Sequence, residues 1–191
     1  MKLFKKFKGE NKSIYRQILN TKFLEEDLKN LNLTKGEYEY NVLKGKIIIK
    51  NISTKNLNHA LDDFYGREKS AMEEFDNFFK ENKALEAERP FLSNLLQKIE
   101  FSDDKLLGLS ILLMRDSSVE ESVKFGMLLS KYYDLRNYPK VQTIFINLMK
   151  HPTFLYYGLD YLMSVDYGII DELYENTFFY GKKIIEEKAW N

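Results

Sequence analysis

A glycine-centred pattern, repeated three times in the second half of the chain, constrains the fold more than any other feature. It occurs in residues 106–112, 124–130 and 156–162, where a bulky residue precedes the glycine and an apolar residue follows it. An aspartate lies eight residues after each glycine, which gives the pairs Gly108 and Asp116, Gly126 and Asp134, and Gly158 and Asp166. Because glycine inside a helix costs about 1 kcal/mol relative to alanine, these glycines predict places where helices approach each other closely. We expect the aspartates just past the helix ends, where they cap the next helix or begin a turn.

The spacing of these glycines predicts helix–turn–helix units stacked side by side. The intervals between them are 18 and 32 residues, and the longer one accommodates an extra helix that begins at Pro139. This pattern is typical of a HEAT-like α-solenoid, in which short antiparallel helices stack on their neighbours. The alternative is a plain helical bundle in which the glycines coincide by chance.

Three sequence motifs resemble those of a known class of proteins. They are Asp-Lys-Leu-Leu-Gly at 104–108, Val-Lys-Phe-Gly at 123–126 and His-Pro-Thr-Phe-Leu-Tyr-Tyr-Gly-Leu at 151–159. The stretch from Phe91 to Trp190 thereby resembles the short HEAT-like or ARM-like α-helical repeat proteins of bacteria, many of them uncharacterised. The resemblance implies a helical scaffold that presents a surface to a partner, and it carries no catalytic residue into this chain.

Residues 37–52 differ in pattern from the rest of the chain. Aromatic or apolar residues alternate with polar ones from position 38 to 42, and three isoleucines follow Gly45. Alternation and β-branching around a glycine favour a small β-hairpin in the N-terminal half. The alternative is one helix from Lys35 into Val42, followed by a loop.

Helical spacing of apolar residues predicts helices over most of the remaining chain, and polar residues or prolines mark their starts. We expect Ser13 and Asp166 to cap helices, and Pro139 and Pro152 to lie at helix starts. A helix is expected to stop at Pro90, where the next one begins. A further expectation is a capping box for a helix over residues 119–133, formed by Ser117 and Ser118 with Glu120 and Glu121.

These elements predict a mainly α protein with one folded domain. A basic tail, residues 1–12, precedes a single α-helical domain over 13–191. Within that domain, N-terminal helices and the hairpin occupy 13–89, and the helical repeats occupy 90–191.

The amino-acid composition limits the kinds of partner and the cellular compartment that we expect for this chain. Lysine plus arginine and aspartate plus glutamate are both 29, so the net charge is zero and we expect no nucleic-acid partner. The absence of cysteine excludes disulfides and cysteine-ligated zinc. No apolar run approaches the ~20 residues of a membrane span, and the N-terminus lacks the apolar core of a signal peptide. We therefore expect a soluble, cytoplasmic protein, in which residues 2–8 either contact a membrane surface or partner or form a solvated terminus.

The titratable residues suggest no assembled catalytic centre. His59 with Asp62 and Asp63 has spacing that suits a metal or acid–base group, but an exposed helix face is the simpler explanation, since this spacing is common by chance. His151 precedes a proline, which suits a loop or cap role. Glycine-rich phosphate-binding loops and nucleophile elbows are lacking. We therefore predict no catalytic residue, no metal ligand and no cofactor, with a carboxylate enzyme as an alternative.

Tyrosine is abundant in this chain, and its side chain suits recognition of a protein partner. The chain has 13 tyrosines, more than one core can bury, and tyrosine is enriched in protein–protein interfaces. A wide amphipathic core rim is the other explanation. The candidate partner-binding residues are Tyr132, Tyr133, Tyr138, Tyr156 and Tyr174.

The function predicted from these features is a non-catalytic protein-binding helical-repeat module. Its most concrete form is a bacterial immunity protein that neutralises a toxin by direct binding. The alternative is a helical-repeat regulator or assembly adaptor.

Overall fold

A computed structural model describes residues 13–97 and 102–190, and the chain is mainly α-helical there. The basic tail predicted for residues 1–12 lies outside that range. No helix within it is long and apolar enough to cross a membrane. The helices are α1 Ile14–Asn20, α2 Glu25–Lys29, α3 Glu37–Leu43, α4 Lys55–Gly66, α5 Ala71–Phe79, α6 Ala84–Leu95, α7 Asp103–Asp116, α8 Glu120–Ser130, α9 Pro139–Leu148, α10 Pro152–Val165, α11 Tyr167–Asn176 and α12 Gly181–Ile185. A 3-10 turn, Leu135–Asn137, separates α8 from α9, and a π-helical C-terminal turn, Glu186–Trp190, extends α12.

Several helix starts follow the local signals in the sequence. The Ser13 hydroxyl accepts a hydrogen bond from the backbone N–H of Arg16, 3.4 Å away, at the start of α1. Pro139 and Pro152 are the first residues of α9 and α10. Proline suits this position because its missing N–H would have no partner inside the helix.

Two of the three repeat aspartates act as caps. The Asp134 carboxylate accepts from the backbone N–H of Arg136 at the 3-10 turn, and Asp166 accepts from the N–H of Gly168 at the start of α11. Asp116 is instead the last residue of α7, and its carboxylate pairs with Arg115.

The β-hairpin expected in residues 37–52 is wrong, and the helical alternative describes this segment better. Residues Glu37–Leu43 form α3, and no strand occurs in the described residues. Gly45 has a left-handed backbone with φ of 65°, and its N–H donates to the Val42 carbonyl. The Lys46 N–H donates to the Asn41 carbonyl. These two bonds form the motif that ends a helix at glycine, so Gly45 terminates α3 rather than turning a hairpin.

Pro90 does not stop a helix, contrary to the expectation from the sequence. It lies inside α6, which begins at Ala84. A proline inside a helix leaves the carbonyl four residues earlier without its helical donor. Here that carbonyl belongs to Glu86, and it accepts from the backbone N–H of Ile52, 3.3 Å away. The loop before α4 therefore satisfies the bond that Pro90 removes.

The centre of the core is α8. Every residue of this helix from Glu121 to Ser130 is buried. Helices α5, α6, α7 and α10 all pack against it. A helix covered on all sides belongs to the interior of a domain rather than to its surface.

In the second half of the chain, helices that are neighbours in sequence or two apart pack together, and the first half packs onto them. Successive helices from α9 to α12 contact each other, as do α7 and α8. In contrast, α1 packs on α7 and α9, and α3 packs on α10 and α12. The backbone N–H of Ile14 donates to the Ser117 carbonyl at 2.9 Å, which ties the start of α1 to the end of α7.

The three repeat glycines have different surroundings. A Cβ on Gly126 would lie 2.9 Å from both the Cβ of Leu113 and the Ser110 carbonyl oxygen, so the expected close approach of α8 to α7 is confirmed. A Cβ on Gly158 would overlap the side chain of Met149. A Cβ on Gly108 would meet no atom of the described chain within 4 Å, so close packing does not explain this glycine.

Candidate functional site

Helix α8 carries a lysine into the core, together with acidic partners. The side chain of Lys124 is 0% exposed, and its Nζ lies 2.8 Å from a carboxylate oxygen of Glu39, 2.6 Å from Glu120 and 3.0 Å from Glu121. Glu39 belongs to α3 and is also 0% exposed. We call Lys124, Glu39, Glu120 and Glu121 the buried charge cluster.

Hydrogen bonds connect each carboxylate of the buried charge cluster to a different part of the fold. Glu120 accepts from the backbone N–H of Thr34 at 2.7 Å and from the Thr153 hydroxyl at 2.8 Å. Glu121 accepts from the backbone N–H of Ala84 at 2.9 Å, and Glu39 accepts from the Tyr157 hydroxyl at 2.9 Å. The cluster therefore joins α3, α6, α8 and α10 through one ammonium group.

Electrostatics keep Glu120 and Lys124 ionised. Burial alone would raise the pKa of the Glu120 carboxyl, but the charge of Lys124 and hydrogen bonds from Lys124 and Thr34 outweigh it and lower the pKa to about 2. Burial would lower the pKa of Lys124, but the three carboxylates raise it above its ordinary value. A lysine that stays protonated near neutral pH cannot act as a base or a nucleophile. We therefore assign the cluster a structural role, in which its charges connect the helices.

The capping box expected at residues 117–121 is wrong, and the buried charge cluster explains why. The residue before α8 is Val119, whose side chain makes no capping bond. The Ser117 hydroxyl accepts from the Val119 N–H at 2.9 Å and donates to Asp76 at 2.6 Å. Glu120 and Glu121 pair with Lys124, which lies four and three residues further along the helix, respectively. That spacing is the signal that could have revealed part of the cluster.

The candidate tyrosines differ in exposure. Tyr132 and Tyr138 are 55% and 39% exposed. Tyr133, Tyr156 and Tyr174 are half-buried. A half-buried tyrosine both packs on the core and presents its edge to a partner.

A groove lies between the 3-10 turn and α10, and we call it the tyrosine groove. It has a volume of about 370 Å³. Its lining contains both acidic and basic side chains beside two phenol rings; the residues are Lys131, Tyr133, Asp134, Arg136, Asp160, Tyr161, Ser164 and Val165. The hydroxyl of Tyr133 donates to the Asp103 carbonyl at 2.9 Å, and burial raises its pKa to about 12, so this phenol stays neutral.

Three other candidate tyrosines lie near lining residues in sequence or through an ion pair. Tyr132 follows Lys131 of the lining, and its hydroxyl donates to Glu88 at 3.1 Å. The Lys188 ammonium lies 4.2 Å from the centre of the Tyr156 ring and 2.9 Å from the carboxylate of Asp160, another lining residue. Tyr138 follows the 3-10 turn and is exposed.

Tyr174 belongs to a neighbouring part of the surface. Its ring packs against Trp190, with 4.5 Å between the centroids, and its hydroxyl donates to Glu186 at 2.8 Å. Both partners belong to the C-terminal turn, which also carries Lys188. Of the candidate tyrosines, the structure therefore places only Tyr133 in the lining of the groove. Tyr156 is connected to the lining through Lys188 and Asp160, and Tyr174 through the C-terminal turn.

The two histidines have contrasting environments. His151 is 1% exposed, and its Nδ1 accepts from the backbone N–H of Thr153 at the start of α10, so the predicted cap role is confirmed. Burial lowers the pKa of His151 to about 4, although Glu120 opposes the shift. His59 is exposed on α4, with Nε2 3.9 Å from a carboxylate oxygen of Asp63.

The three residues that could hold a metal ion in the structure differ by one residue from the set suggested by the sequence, which was His59, Asp62 and Asp63. The group formed in the structure is His59, Asp63 and Glu74, whose ligand atoms all lie within 4.8 Å of one another. Glu74 comes from α5, and Asp62 is not a member of this group. Sequence spacing alone could not find Glu74, because its position depends on how α5 packs against α4.

Comparison of the chain with protein-family models, with curated proteins and with solved structures gives no match.

Proposed function

We propose that this chain is a non-catalytic protein-binding helical module that recognises its partner through the tyrosine groove. The observation that supports this best is the groove itself, which is lined by the rings of Tyr133 and Tyr161. Tyrosine contributes large contact area and a polar hydroxyl at interfaces. The mixed charges of the lining, with Arg136 and Asp134 on one side and Asp160 on the other, suit a partner with complementary charged groups.

The scaffold of this module is a HEAT-like stack in its second half. The sequential packing of α9 to α12 supports this arrangement, as does the resemblance of residues 91–190 to bacterial helical-repeat proteins. In such a scaffold the helices fix the shape of a surface, and the side chains between repeats provide recognition. The first half closes one side of the stack through α1 and α3.

The most concrete form of the proposal is a cytoplasmic immunity protein that covers the active site of a toxin. The test is binding of the full chain to the products of neighbouring genes, measured by pull-down with purified proteins, together with protection of cells that express an adjacent toxin. We expect the double variant Y132A/Y138A to weaken both binding and protection, because these are the two candidate tyrosines that are exposed, and they flank the segment that contains Tyr133, Asp134 and Arg136 of the groove.

A matched control is Ile48→Ala, which removes a 79% exposed apolar side chain from the loop after α3. This variant should bind and protect as the unmodified chain does. Binding to a neighbouring protein that is not a toxin would favour the regulator or adaptor alternative. A chain that binds none of these products and protects against no adjacent toxin would contradict the immunity proposal.

A further inference from the structure

We propose that His59, Asp63 and Glu74 form a binding site for a divalent transition-metal ion, of which Zn²⁺ is the best fit. The three side chains offer one imidazole nitrogen and two carboxylate oxygens, and these atoms lie within 4.8 Å of one another. Zinc binds imidazole and carboxylate ligands at about 2.0–2.2 Å, which places the ligand atoms roughly 3.3 Å apart in a tetrahedral site. The existing separations exceed that value by no more than about 1.5 Å.

Side-chain rotation can close this difference. The His59 side chain is 74% exposed, so it has room to rotate towards Asp63, whose side chain is 24% exposed. His59 and Asp63 lie four residues apart on α4, which places them on one face of the helix. Glu74 lies in the first turn of α5, which packs against α4. Rigid helices thus bring the three residues together, while their side chains keep the freedom to adjust.

The charge and chemistry of the group favour a divalent ion. A neutral imidazole with two carboxylates carries a charge of −2, which a divalent cation neutralises. A nitrogen donor beside oxygen donors suits zinc and related transition metals better than calcium or magnesium, which prefer oxygen alone. Three protein ligands leave a fourth position open, as in zinc sites that bind a water molecule or a substrate.

Space for that fourth ligand is present beside the group. His59 and Glu74 line a groove of about 660 Å³. The side chains of Asn56, Asn77 and Asn82 also line it. Amide groups can hydrogen-bond to a metal-bound water or to a carboxylate or carbonyl oxygen. The site therefore has room for a small oxygen-donor ligand.

Metal binding to the full-length chain can be tested by calorimetric titration with Zn²⁺ and by the visible absorption of bound Co²⁺. We expect one ion per chain, and a rise in the melting temperature when Zn²⁺ is added, because the ion binds the folded state. His59→Ala and Glu74→Gln should each weaken the affinity at least about tenfold, which is the range seen when even supporting groups of metal sites are removed.

The matched control is Asp62→Asn, which removes the same charge one residue away from Asp63. It distinguishes the structural group from the set suggested by sequence spacing. Unchanged Zn²⁺ affinity in this variant, with loss in His59→Ala, would support the proposal. The absence of Zn²⁺ binding in the unmodified chain would overturn it, as would binding that His59→Ala leaves intact in a folded variant with an unchanged circular-dichroism spectrum.

Discussion

Lys124 loses its hydration completely on folding, and three carboxylates replace the water around its ammonium group. Lys124→Met would keep most of the side-chain volume but leave Glu39 buried without a counter-charge. Breaking a buried ion pair from one side costs about 3–5 kcal/mol. We therefore expect a loss of that order in the free energy of unfolding, measured by urea denaturation.

The control for this variant is Lys83→Met. Lys83 also pairs with Glu121, at 2.9 Å, but its side chain is 38% exposed. Partly exposed pairs contribute about 1 kcal/mol or less, so this variant should stay close to the unmodified chain. Adding Glu39→Gln to Lys124→Met should recover part of the loss, and equal losses from the two lysine variants would contradict the assigned role of Lys124.

Individual residues show which contacts can be predicted from the sequence and which cannot. Ser13, Pro139 and Asp166 were predictable because a cap depends on groups within about three residues. The pairing of Glu39 with Tyr157 was not, because 118 residues separate the two and only the packing of α3 on α10 brings them together. Glu39 also falls in the segment whose alternating pattern suggested a strand.

At the level of helices, Gly126 and Gly108 have opposite roles despite their shared pattern. Gly126→Ala would force a methyl group to within 2.9 Å of the Ser110 carbonyl oxygen and of Leu113 on α7. Such overpacking costs about 1–3 kcal/mol, so we expect the midpoint of denaturation to fall. Gly108→Ala meets open space in α7, where alanine stabilises a helix by about 0.5–1 kcal/mol.

The two variants are therefore expected to change the free energy of unfolding in opposite directions: Gly126→Ala should lower it and Gly108→Ala should raise it. Urea denaturation of both proteins, compared with the unmodified chain, is the measurement. Stabilisation by Gly126→Ala would show that α7 and α8 do not approach as closely as described. Destabilisation by Gly108→Ala would show that this glycine has a packing role.

Helix boundaries were less predictable than the presence of helices. Pro90 is a strong local stop signal, but the N–H of Ile52 satisfies the carbonyl that this proline leaves free in α6. The hairpin prediction failed because a glycine after apolar residues is equally suited to end a helix as to turn a strand. In both cases contacts distant in sequence decided between local alternatives.

For the whole molecule, the packing predicts that residues 90–191 do not fold alone. A fragment of residues 90–191 lacks α5, which covers part of α8, and lacks Glu39 of the buried charge cluster. It would expose apolar surface of a helix that is buried in the full chain. We expect no cooperative unfolding transition by circular dichroism and increased binding of a hydrophobic dye.

Full-length protein measured under the same conditions is the control for this fragment. A sharp transition in the fragment would mean that residues 90–191 form a separate domain. It would also contradict the expectation, made from the sequence, of a single domain over 13–191. That expectation stays a prediction, and this fragment tests it.

The bond between Thr34 and Glu120 has a consequence for synthesis of the protein on the ribosome. The two residues are 86 positions apart, and translation proceeds at about 5–20 residues per second. The segment containing α3 must therefore wait on the order of several seconds for α8 to emerge. Helix α3 waits longer still for α10 and α12, on which it packs, so this part of the fold forms only after α12 has been synthesised.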